Sequence, residues 1–183
     1  MSSNPKINGK YLLKQKGNTC GAHSIYNYLV LTNKVSFTQD KAAQKKAIEA
    51  IYQEIILPQT GEAALPHLML AFLRKNGSPL TLHGSNKFEE KLEEIRSQLH
   101  IDDTINYADD PLSTSLNPGA YGIALWNNTE TFPPLNQLAT MHYTVVYKNV
   151  DGEIYALDSN LPEEGLQLIT SAFYLKFMGL LFA

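Results

Sequence analysis

The chain has 183 residues, 44% of them hydrophobic and 18% charged, with Lys+Arg 15 against Asp+Glu 18 and a formal net charge of -3. One domain of about 100–200 residues accounts for this length, and such a domain buries enough surface to need no disulfide or metal staple. Arginine occurs only at Arg74 and Arg96, so the basic stripe of a nucleic-acid binder is missing, and no run of about 18 apolar residues offers a membrane span.

Taken in chain order, the first half reads helical. Met1–Lys10 lacks the apolar stretch of a cleavable secretory signal, so the expectation is a cytoplasmic location or export by a signal-independent route. Ala22, Ile25, Tyr26, Leu29 and Val30 recur at helical spacing and predict a helix over about 20–31. Ser36 with Gln39 reads as a capping box for a second helix, whose apolar face would be Ala43, Ala47, Ile48, Ile51 and Ile55 and whose stop would be Pro58. A third helix is predicted from Pro66, carrying Leu68, Met69, Phe72 and Leu73 and ending at Asn76-Gly77. Leu80–Leu82 is a short strand candidate, and Asn86 with Glu89 opens a fourth helix bearing Phe88, Leu92, Ile95 and Leu99.

Residues from about 101 to 119, rich in aspartate and containing Pro111 and Pro118, read as loop. Strands are then predicted at Ala120–Trp126, Met141–Lys148, Glu153–Leu157, Leu166–Thr170 and Phe173–Phe177, with a connector over Asn127–Thr140 and a turn at Asn149–Gly152. Helices first and an antiparallel sheet afterwards define a single α+β domain covering residues 1–183.

No HExxH, GxxxxGK[ST] or GxGxxG motif is present, and one cysteine can form neither an internal disulfide nor a Cys-based zinc site, so no metal or cofactor is expected. Cys20 follows Asn18-Thr19 and precedes Gly21 at a predicted helix start, where a thiolate would face the positive end of the helix dipole. A cysteine nucleophile needs a base, and the base needs an orienting acceptor. His142 opens one strand and Asp158 closes the returning one. If Val150-Asp151-Gly152 forms the hairpin loop with Gly152 left-handed, Asn149 faces Glu153, and His142 and Asp158 become diagonal neighbours on one face, about 7–8 Å apart. A loop of Asp151-Gly152 alone would put them on opposite faces. Gln15, with the backbone N–H of Cys20, is the candidate oxyanion donor, and Asn18 the substitute.

Gln15…Asn18-Thr19-Cys20-Gly21-Ala22, a late His142-Tyr143-Thr144-Val145-Val146, and then Asp158 together resemble the papain-like cysteine peptidase superfamily, which keeps the order Gln, Cys, His, Asp/Asn. The Gln15…Cys20-Gly21 and His142…Leu157-Asp158 segments are similar to bacterial peptidases that cut double-glycine leader peptides. The long helical stretch before His142, and Asp158-Ser159-Asn160 with Gly165, are similar to papain-like effectors injected by bacteria, which include proteases and glutamine deamidases. The Gln15-to-Cys20 spacing is one residue shorter than the commonest family pattern. The resemblance implies a papain-like fold, its helical half packed on the sheet, and a hydrolase of peptide or amide bonds with a protein or peptide substrate. Cys20 would be the nucleophile, His142 the acid/base and Asp158 its orienter. A glutamine deamidase or acyltransferase on the same fold, a catalytically silent binding module, and an interaction protein with a merely buried Cys20 are the alternatives.

Among other polar residues, His23 reads as packing beside the site, His67 as a helix residue and His83 as a strand end. His100 with Asp102-Asp103 reads as solvated charge, Trp126 as core or cleft wall, and Asn127-Asn128-Thr129 as a glycosylation sequon without meaning unless the chain is secreted.

Overall fold

The first helix forms where the apolar spacing placed it. In the computed structural model α1 spans Cys20–Leu31, and every residue from Cys20 to Val30 is buried. The structure describes residues 11–57, 64–98, 101–126, 141–170 and 177–183. After α1 come α2 (Lys41–Ile55), α3 (Pro66–Lys75), β1 (Leu82–Ser85), α4 (Glu89–Gln98), β2 (Ile105–Ala108), α5 (Pro111–Thr114), β3 (Tyr121–Trp126), β4 (His142–Lys148), β5 (Ile154–Leu157), β6 (Leu166–Leu168) and β7 (Phe177–Phe182). The fold is α+β.

The strands form one 7-stranded sheet in the order β2-β1-β7-β3-β4-β5-β6. β1 and β2 are parallel; every other neighbouring pair is antiparallel. Side chains alternate between its faces. Ile123, Leu125, Tyr143, Val145, Leu157 and Phe182 share the main core with α1. Ala124, Trp126, Val146, Ala156 and Leu181 form a second apolar layer with Leu112 and Leu116.

Contacts a turn apart set α1 on β4. The Cys20 thiol lies 3.8 Å from the Met141 carbonyl, and the Ser24 hydroxyl donates to the Tyr143 carbonyl at 2.9 Å. Four helical residues rise about 6 Å, and two strand residues about 6.6 Å, so helix and strand stay in step over this stretch. Ser24→Ala would orphan the buried Tyr143 carbonyl and is expected to cost about 1–3 kcal/mol in urea unfolding; an unchanged midpoint would mean that the bond does not fix the helix.

Several sequence expectations shift. The N-cap of α2 is Asp40, whose side chain accepts from Ala42 N, so Ser36 and Gln39 do not form a capping box there. The register of α2 exposes Ala43 and buries Gln44, whose amide donates to the carbonyls of Tyr11 and Thr38 at 2.7 Å each. β1 starts at Leu82, where the candidate ended, so His83 lies inside it. Asn86–Phe88 form a 3-10 turn ahead of α4, with Ser85 as cap. The stretch read as loop contains β2 and α5. The last strand is Phe177–Phe182, so Phe173–Phe177 overlaps it only at its end; residues 173–176, with Pro58, Leu99, His100 and the Asn127–Thr140 connector with its sequon, lie outside the described residues.

Candidate active site

Three chain segments converge at the N-terminus of α1. The lead-in turns at Gly17, with φ 63, and the Thr19 hydroxyl donates to the Lys16 carbonyl at 2.9 Å. Thr19 is the N-cap but makes no side-chain cap bond, so the first-turn amides beside Cys20 keep no side-chain acceptor. Cys20 is 7% exposed.

The second and third segments come from the β4–β5 hairpin. Gly152 is left-handed at φ 89, Asn149 N donates to Glu153 O at 2.9 Å, and Val145 pairs with Leu157 and Lys148 with Ile154. This is the register in which His142 and Asp158 are diagonal neighbours. His142 Nε2 and Asp158 Oδ1 lie 2.8 Å apart, and the same carboxylate oxygen accepts from Asn160 N at 2.8 Å. Nε2 is held by the carboxylate, and Cys20 lies near enough to His142 to help raise the imidazole pKa. The side chains are 24% and 31% exposed for His142 and Asp158.

Electrostatics follow from this geometry. Burial lowers the His142 pKa, but the bond and charge of Asp158 and the neighbouring Cys20 outweigh it, and the imidazole is pushed up to about 9. Burial raises the Asp158 pKa, and the bonds from His142 and Asn160 N more than offset that, holding the carboxyl below its ordinary value. Tyr143, buried beside Cys20, is pushed well up, chiefly by burial; its hydroxyl donates to the Ala64 carbonyl at 3.3 Å.

Gln15 is tied to the Asp158 arm. Its N–H donates to the Ser159 carbonyl at 2.8 Å, and its Oε1 accepts from the Ser159 hydroxyl at 2.6 Å. Its Nε2 donates to the Gly17 carbonyl at 2.9 Å, so the second Nε2 proton is the one available to an oxyanion. Asn18 lies exposed in the same turn. Ser159, 1% exposed, was not singled out from sequence, because the bond joins residues at opposite ends of the chain. Asn160, whose Nδ2 is 3.5 Å from His142 Nε2, had a signal: the hairpin count sets it directly across from His142.

His23 packs rather than serving the thiol. Its Nδ1 is 3.0 Å from the Thr19 carbonyl, and burial lowers its pKa despite that bond. Trp126, directly across from His142 on β3, is 3% exposed and its Nε1 donates to the Thr144 hydroxyl at 2.7 Å. His67 is a half-buried residue of α3, and Asp103 is paired with Arg74. Among the described residues, no group of three or more His, Cys, Asp or Glu side chains is placed to hold a metal, and no helix is long and apolar enough to cross a membrane.

In comparisons with known proteins, no family model matches the chain and no characterised sequence matches it.

Proposed function

We propose that the protein is a papain-like cysteine hydrolase of peptide or amide bonds. The observation that carries the reading is His142 held by Asp158 at 2.8 Å with Cys20 near enough to shift its pKa upward. Cys20 attacks the substrate carbonyl as the thiolate, forming the C–S bond, and the carbonyl oxygen takes the charge against the Cys20 N–H and Gln15 Nε2. The C–N bond breaks as the His142 imidazolium gives its proton to the leaving nitrogen. Neutral His142 then takes a proton from water, the resulting hydroxide equivalent attacks the thioester, and the acid leaves with Cys20 restored. Asp158 keeps the imidazole in one tautomer throughout.

Iodoacetamide tests the ion pair without knowledge of the substrate. At pH 6 Cys20 is expected to alkylate well above the rate of free cysteine, and Cys20→Ala is expected to abolish both labelling and hydrolysis of a denatured protein substrate. Labelling no faster than free cysteine favours a silent binding module. Ammonia release without new peptide termini favours a glutamine deamidase.

A further inference from the structure

The sheet edge next to Asp158 carries features that the hydrolase chemistry leaves unused. Among the described residues, β6 is the outermost strand on that side. Ile169 N donates to Ile154 O at 2.8 Å, and Ala156 pairs with Gln167, Tyr155 with Leu168 and Leu157 with Leu166. Antiparallel pairs alternate between hydrogen-bonded and non-hydrogen-bonded. Ile154–Ile169 is a bonded pair, so Leu166 and Leu168 occupy the non-bonded positions and turn their N–H and C=O groups outward from the sheet.

Natural edges are usually blunted by lysine, proline or a covering element. Here Leu168 is 51% exposed and Leu161 42%, and both line a concavity of about 170 Å3 that also takes in Asp158, Glu164, Gln167 and Ile169. The chain segment that builds this edge carries acidic charge only. From Asn149 to Thr170 the acidic residues are Asp151, Glu153, Asp158, Glu163 and Glu164, with no lysine or arginine. Lys14 reaches Glu163 only at 3.9 Å, with the two side chains 60% and 53% exposed, so solvent screens that pair.

We propose that the β6 edge docks an extended peptide segment that alternates cationic and apolar residues and pairs with the outward groups of Leu166 and Leu168 as an added strand. Its apolar side chain sits against Leu161 and Leu168, and a lysine of the segment meets Glu164, which lines the same concavity. Strand addition takes affinity from main-chain bonds and selectivity from such pockets. That the segment belongs to the substrate rests on the hydrolase reading; the docking does not.

The test is fluorescence anisotropy on the full chain carrying Cys20→Ala, with fluorescein-labelled Lys-Val-Lys-Leu-Lys-Val as probe and Glu-Val-Glu-Leu-Glu-Val as control. The cationic peptide is expected to bind at least about tenfold more tightly and to weaken with salt. Leu168→Pro removes an outward N–H that β5 does not use, a place where an edge strand tolerates proline, and is expected to lower affinity about tenfold with the circular dichroism spectrum unchanged. A probe N-methylated on alternate amides should lose binding similarly, and this readout survives a misfolded variant. No binding, equal binding of the two peptides, or indifference to N-methylation overturns the proposal. So does a dimer in sedimentation that Leu168→Pro dissociates, which would make a second copy the occupant. Iodoacetamide reactivity of the wild type is read separately, so the docking and the hydrolase reading fail independently.

Discussion

Replacing His142 by alanine is expected to lower hydrolysis by about 10²–10⁴-fold, the usual contribution of a positioned acid/base, and to return alkylation of Cys20 at pH 6 to the free-cysteine rate. The pH profile carries a second signature. Hydrolysis uses the imidazolium to protonate the leaving nitrogen, so kcat/KM is expected to fall as pH rises through the His142 pKa of about 9. The sign follows from what raises that value: the Asp158 bond and charge favour the protonated ring over the neutral one. Asp158→Asn removes the negative charge and keeps an acceptor for Nε2, so the alkaline limb is expected to move to lower pH. A limb that stays in place in Asp158→Asn would remove Asp158 from its orienting role, and a His142→Ala protein with most of its activity would mean that the base lies elsewhere.

The parts of the site that were legible in sequence are those fixed by local chemistry. α1 announces itself through Ala22, Ile25, Tyr26 and Leu29, and the His142–Asp158 pairing follows from one turn, because Gly152 is left-handed and Asn149 closes on Glu153. The rest depends on distant partners. Phe177–Phe182 lies mid-sheet between β1 and β3, and a short, continuous apolar run has no period to distinguish strand from helix. β2 has only Ile105 buried among its residues, so its polar composition reads as loop; its pairing with β1 makes it a strand. Nothing local marks Gln44 for burial, because its carbonyl partners, Tyr11 and Thr38, are supplied by the chain leading into α2. The Ser159–Gln15 clamp is of the same kind: neither residue has a local pattern that points to the other.

Gly21→Ala is expected to be among the most damaging of the conservative changes, because a β-carbon at this position would lie 2.4 Å from the Ala64 β-carbon and 3.4 Å from both Ile55 Cδ1 and Met69 Sδ. The nearest obstacle is a β-carbon fixed to backbone, so no side-chain rotation relieves it. Overpacking of this kind costs about 1–3 kcal/mol, against an intrinsic helix gain of about 1 kcal/mol for alanine over glycine. The strain falls next to Cys20. Pushing the first turn of α1 off Ala64 displaces the thiol from His142 and releases the carbonyl that Tyr143 uses. Both the urea midpoint and the Cys20 alkylation rate should therefore drop in Gly21→Ala. Ala64→Gly removes the very atom that clashes, so the double variant should recover reactivity, and a coupling energy of about 0.5–3 kcal/mol is expected for residues in contact. If Gly21→Ala is as stable as the wild type, the helix tip is held by Ser24 and Tyr143 alone. If the double variant fails to recover reactivity, the glycine beside the cysteine serves the thiol directly and not the packing of the helix that carries it.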